Sequence, residues 1–154
     1  MVRVLSFENE PIDQHFYEKK MAIALDVRHR IGAIGGNNNT YRLVHGEGDN
    51  LPGLVIDIYG TTAVMQAHSV GMHIDREIIA KALKAVMGDA LQNIFYKSET
   101  TLPFKADLGQ ENGFLLGGDT DDLATENGLK FHVDWLRGQK TGFFVDQKIG
   151  RAHV

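Results

Sequence analysis

Three stretches of the chain gather side chains that could do chemistry. The densest is Gly138-Gln139-Lys140-Thr141-Gly142-Phe143-Phe144-Val145-Asp146-Gln147, in which two glycines, a cation, a hydroxyl and carboxamides surround two aromatics. Lys140 could meet a phosphate or carboxylate, while Thr141 and Gln147 could hydrogen-bond a polar ligand. A hairpin turn with a hydrophobic return strand accounts for the same residues, and on physical grounds the two readings stand level. Two histidine–acid pairs come next, His45 with Glu47 and His132 with Asp134. Each occupies positions i and i+2, so in a strand both members share a face and could act as an acid–base couple. Exposed polar alternation explains them more simply, the second pair above all, because it falls on the face opposite Trp135.

Sharper motifs fail at defined positions. A phosphate loop needs glycines one and six places before its lysine, and Lys140 is preceded there by Gln139 and Asp134. Gly46-Glu47-Gly48 opens like a dinucleotide fingerprint, but Leu51 stands where the third glycine belongs. Asp119-Thr120-Asp121-Asp122 has the acid density of a calcium loop, yet Ala124 and Lys130 occupy the glycine and glutamate positions. The chain has no cysteine, which excludes disulfides, thiolate metal sites and a cysteine nucleophile within these 154 residues. Seven scattered histidines include no i, i+4 helical pair, so no metal is expected.

The elements that must position these residues can be read from periodicity. Ile12, Phe16, Ile23, Val27 and Ile31, with Ala24 beside them, predict a helix over 12–31 with this stripe as its buried face. Before it, Val2-Arg3-Val4-Leu5 reads as a short strand, and Gly35-Gly36-Asn37-Asn38-Asn39 ends the helix at an expected boundary. Strands are expected over 41–44, 54–59, with Leu54, Ile56 and Ile58 on one face, and 62–68, as antiparallel neighbours. Ile74, Ile78, Ile79, Ala82, Leu83, Val86 and Met87 mark a helix over 73–87 that stops at Gly88. A strand follows at 94–97, then a long excursion of low periodicity over 99–127, then an alternating strand over 129–135. The fold class is therefore α+β: a mainly antiparallel sheet with one packed helix and an N-terminal helical extension. A length of 154 residues suits one domain with a real core, and 43% hydrophobic against 23% charged residues argues against disorder.

Charge is unevenly placed. The net charge is −4; residues 35–126 carry six basic and 13 acidic side chains, whereas residues 127–154 carry five basic and two acidic. A nucleic-acid binder usually presents a basic face, so autonomous tight RNA binding is disfavoured outside the basic tail. No run reaches the roughly 18 apolar residues of a membrane span, and the chain opens with no export signal. A cytoplasmic setting without membrane contact is expected.

Arg42-Leu43-Val44-His45-Gly46-Glu47-Gly48-Asp49-Asn50-Leu51-Pro52-Gly53-Leu54-Val55-Ile56-Asp57 resembles a signature of the bacterial SAM-dependent methyltransferases that modify cytosine at its 5 position in large-subunit ribosomal RNA. Glu126-Asn127-Gly128 and the 138–147 stretch resemble two further stations of that family in order and spacing, and Arg3-Val4-Leu5-Ser6 with the first helix resembles its linker out of a PUA domain. The resemblance implies three parts in a complete member: PUA, a central α+β domain and a Rossmann-like SAM domain. This chain would then comprise the PUA-side linker (1–34), the central domain (35–147) and a tail (148–154) where Lys148-Ile149-Gly150-Arg151 departs from the family pattern, with the SAM domain absent.

The same resemblance implies that Lys140, Thr141, Phe144 and Gln147 sit in a hinge beside the SAM pocket, as cofactor-binding rather than catalytic groups. S-adenosylmethionine and ribosomal RNA would be the partners of the complete enzyme. The chain alone, without a glycine-rich SAM loop or a cysteine, is expected to bind no SAM and to be inactive. A stand-alone RNA-binding module and a dimerising structural domain are the competing readings. Self-association is expected in either case, because Phe143-Phe144-Val145 and part of the first helix would lose their cover.

Overall fold

A computed structural model describes residues 5–6, 8–32, 40–97, 113–117, 123–126 and 129–132. Helix α1 (Gln14–Arg30) opens at Asp13, whose carboxylate accepts the Phe16 amide at 3.0 Å and so satisfies one of the orphan N–H groups of the first turn. Strands β1 (Thr40–His45), β2 (Leu54–Tyr59) and β3 (Thr62–Ala67) form an antiparallel meander, with a 3-10 turn at Gly46–Asp49 between the first two. The chain then crosses through α2 (Val70–Ile74) and α3 (Arg76–Met87) to β4 (Asn93–Tyr96), which pairs with β3 in parallel. A parallel pair requires such a crossover, and the helices supply it. Strand β5 (Gly113–Leu116) adds antiparallel to β4, completing a five-stranded sheet of order β1-β2-β3-β4-β5. A separate antiparallel pair, β6 (Leu123–Glu126) with β7 (Leu129–His132), lies against β1 and β2. This is the α+β architecture expected, with one parallel pairing in an otherwise antiparallel sheet.

Register decides which side chains share a face. Leu54, Ile56 and Ile58 of β2 align with Ala67, Met65 and Ala63 of β3, and Ala63 and Met65 with Ile94 and Tyr96 of β4. All are buried, and they form the core together with Phe16, Tyr17, Met21 and Ala24 of α1 and Ile79, Ala82 and Leu83 of α3. The opposite face is buried as well but far more polar: Thr40, Asp57, Thr62, Gln66 and Asn93 are all nearly inaccessible.

Several expectations need correction. Helix α1 buries only part of its predicted apolar stripe: Phe16 and Ala24 lie in the core and Ile12 packs against it, but Ile23, Val27 and Ile31 are 63%, 40% and 70% exposed. Tyr17 donates a hydrogen bond to Asp75 Oδ2 at 2.7 Å and Arg28 reaches Asp49, and these contacts act with buried Phe16, Met21 and Ala24 to set the helix's orientation. The helix expected over 73–87 begins at Val70, capped by the Ser69 hydroxyl, and breaks at Asp75. Ile74 and Ile78, assigned to its apolar stripe, lie exposed. The excursion over 99–127 contains β5 and β6, both short strands of four residues. Leu5 is not in a strand, and residues 1–4 lie outside the described residues.

Candidate functional site

The resemblance-bearing segment from Arg42 to Asp57 is the β1–turn–β2 hairpin, and two ion pairs hold it. Arg42, near its start, meets Asp57, near its end, through Nε–Oδ1 at 2.7 Å and Nη2–Oδ2 at 3.1 Å. Asp57 is wholly buried and the Arg42 side chain is 18% exposed. Such a fork-to-fork pair clamps the two strands in register. Asp49, in the turn, accepts from Arg28 Nη1 and Nη2 at 3.0 and 2.7 Å and from the His45 amide at 2.6 Å. Arg28 Nε also donates to the Arg42 carbonyl at 3.0 Å, so one guanidinium joins α1 to both the strand and the turn. Sequence reading missed Arg28: nothing in its local pattern separates it from a solvated helix cation.

The turn geometry explains the small residues. Gly46 and Gly53 adopt φ +53° and +87°, and Asn50 adopts φ 57°, the left-handed conformation that asparagine tolerates better than most residues. Most of the segment's polar and glycine content is therefore structural.

What remains for a ligand is a cleft of about 400 Å³ lined by His45, Gly46, Glu47, Gly48, Gly53, Leu54, Val55 and His68. A bulge in β1 creates it. Pairing slips between Arg42 and Val44, so Leu43 and Val44 are both buried in the core cluster. Arg42 and His45, three residues apart, then both fall on the polar face of the sheet, and Arg42 Nη1 lies 3.4 Å from His45 Nδ1. A guanidinium can only donate, so Nδ1 is the acceptor in this contact. His45 pairs with Val55, and His68 donates its backbone N–H to Gly53 at 2.7 Å. His45, Val55, Gly53 and His68 consequently share one face, with both imidazoles exposed.

The expected strand-face sharing of His45 and Glu47 does not occur, because Glu47 lies in the 3-10 turn, but the cleft brings the two together and adds His68, which sequence reading did not single out. Among the described residues no group of three or more His, Asp or Glu side chains could hold a metal ion. His132 ends β7, and Asp134 lies outside the described residues, as do Lys140, Thr141, Phe144 and Gln147.

A second titratable cluster serves the fold. His73 Nδ1 lies 2.6 Å from the Tyr96 hydroxyl, both residues being buried, and Arg76 sits over the Tyr96 ring while donating to the His73 carbonyl. It pins the helical crossover to β4. Burial raises the Tyr17 hydroxyl well above the ordinary phenol range, assisted by its hydrogen bond to Asp75, and burial alone pushes Tyr41 up to about 12. Both phenols stay neutral. The parallel crossover leaves β3 through His68 and Ser69, and among the described residues no glycine-rich loop opens a helix there.

No family model matches the chain. Ribosomal RNA large subunit methyltransferase I of Pseudoalteromonas translucida is 37% identical over 153 residues, covering 97% of this chain and 38% of that protein. The protein of the same name from Aliivibrio fischeri is 36% identical over 155 residues, covering 99% and 38%. The chain thus spans about 38% of the length of the curated relatives it matches. Among solved structures, a proposed SAM-dependent methyltransferase from Streptococcus mutans superposes with a TM-score of 0.79 at 22% identity, covering 97% of this chain and 38% of that one. A proposed methyltransferase in complex with SAH superposes at 0.78 and 22%, covering 96% and 37%. At that identity the likeness is one of fold.

Proposed function

We propose that these 154 residues form the substrate-positioning part of a SAM-dependent methyltransferase acting on large-subunit ribosomal RNA. One observation carries the reading: identity of 36–37% to proteins named for that activity runs along 97–99% of this chain rather than being confined to one motif. The hairpin over 42–57 supports it, since two arginine–carboxylate pairs hold it as one ordered unit.

The finer reading is that the modified atom is cytosine C5, that residues 1–34 lead out of a PUA domain, and that residues 35–147 are the central domain. Lys140, Thr141, Phe144 and Gln147 would flank the SAM pocket. Methyl transfer to a pyrimidine carbon calls for a nucleophile that adds to the ring, and these residues contain no cysteine. In this reading the chain alone is inactive and its contribution is to bind and orient RNA in the cytoplasm. Self-association accompanies this role, and the exposed Ile23, Val27 and Ile31 on α1 offer it a surface.

The test joins this chain to the remainder of the Pseudoalteromonas relative. The isolated chain should show no saturable SAM binding by calorimetry, whereas the chimera should bind SAM and methylate large-subunit rRNA. A chimera that binds SAM yet methylates no rRNA refutes the reading; SAM binding serves as its folding control.

A further inference from the structure

The cleft between His45 and His68 is unused by any role assigned above, and its chemistry is specific. Neighbouring strands lie about 4.8 Å apart, so residues on β1 and β3 flank β2 at about 10 Å. His45 at the end of β1 stands opposite Val55 and His68, just past β3, opposite Gly53 two residues along β2, so they lie diagonally on one face with backbones about 12 Å apart. Between them β2 presents Val55 and then Gly53, which has no side chain. A gap of that width, with Val55 and the bare Gly53 backbone as its floor and two exposed imidazoles at its edges, suits a flat ring stacked against one or both. A volume of about 400 Å³ is at the small end of ligand pockets, enough for one such ring system.

Charge decides which part of a nucleic acid fits. Arg42, which contacts His45, and Arg28, which holds the turn, are each engaged by a buried carboxylate, Asp57 and Asp49. Glu47, exposed on the rim, adds a negative charge. A phosphate would meet no uncommitted guanidinium and one repelling carboxylate. A base edge bearing an exocyclic amine would meet an acceptor, as when glutamate accepts from cytosine N4. Histidine rings are among the stacking platforms for splayed bases in single-stranded RNA.

We propose that the His45–His68 cleft seats one unpaired, amino-bearing nucleobase of the RNA, its ring stacked on the imidazoles and its exocyclic N–H donated to Glu47. This rests on the ribosomal-RNA reading above and extends it to a base-reading subsite separate from any site of methyl transfer. Affinity from phosphate neutralisation comes from elsewhere in the chain; the cleft supplies base preference.

The test uses the 154-residue chain and fluorescein-labelled RNA hexamers of cytidine, adenosine or uridine, followed by anisotropy at low salt. Wild type should favour the cytidine and adenosine oligomers over uridine by about fivefold or more. Glu47→Gln should bring the three within about twofold of one another while leaving uridine binding unchanged. His45→Ala and His68→Ala should each weaken binding of the preferred oligomers by about fivefold or more, and His45→Phe and His68→Phe, which keep a ring, should retain it. A base preference that survives Glu47→Gln, or alanine variants that fold and bind like wild type, overturns the proposal. Absence of any preference in wild type also overturns it, while a methylating chimera would leave the broader reading intact. A preference abolished by Glu47→Gln alongside an inactive chimera would uphold the subsite and remove the methyltransferase reading.

Discussion

Replacing the two partners of the Arg42–Asp57 pair should have unequal effects, and the inequality follows from their burial. Asp57 is at 0% exposure and Arg42 at 18%. In Arg42→Met the wholly buried carboxylate loses both of its guanidinium bonds, and breaking a buried pair from that side costs about 3–5 kcal/mol. In Asp57→Leu the guanidinium loses its carboxylate but can swing its head toward solvent on its long stem, so the loss should be nearer to about 2 kcal/mol. The double variant removes both charges and substitutes apolar volume, which is often close to neutral, so it should recover to within about 1 kcal/mol of wild type. For a chain of this size about 4 kcal/mol corresponds to a fall in Tm of about 8–16 °C. Urea denaturation of the four proteins, followed by circular dichroism at 222 nm, completes the double-mutant cycle. Equal losses in the two single variants, or a double variant as unstable as Arg42→Met, would refute the argument that the buried carboxylate sets the cost.

Other outcomes follow from single positions. Gly117 has φ +69°, and a Cβ there would lie 2.3 Å from Asn93 Oδ1 and 2.4 Å from the Gln92 carbonyl, so Gly117→Ala should lose about 2 kcal/mol or more in the same denaturation assay. Gly71→Ala meets nothing within 4 Å and should be neutral or gain up to about 0.5 kcal/mol. Tyr41, raised by burial to about 12, keeps its proton in the fold after the unfolded chain has lost it near pH 10. Its contribution is complete below about pH 10 and is lost as pH rises through 12, so a Tyr41→Phe variant should lose less stability than wild type over that interval. A steeper alkaline loss in the variant would contradict the assignment. Ile23→Lys with Val27→Lys should lower the mass measured by light scattering across a dilution series without lowering Tm; an unchanged mass would move the self-association surface away from α1.

The sequence by itself settled the elements whose signals are local. Alternation in Leu54–Tyr59, the apolar spacing over Ile79–Leu83 and the stop at Gly88 depend on one strand or helix at a time, and the structure has them where expected. The resemblance over residues 42–57 was legible in the same way, because glycines and Asn50 at left-handed positions are a local requirement of the turn. Tertiary structure decided what depends on partners. Periodicity marks a wide apolar arc on α1 but cannot say which part is covered; Tyr17–Asp75 and Arg28–Asp49, partners 58 and 21 residues apart, help set the orientation that leaves Ile23 and Ile31 in water. The candidate cleft was illegible for a related reason. A one-residue bulge in β1 reverses the face on which His45 stands relative to a regular strand, and His68 joins it through pairing across β2. Side-chain direction in a sheet alternates with every residue, so a single slip in register, set by contacts with another strand, determines which groups meet.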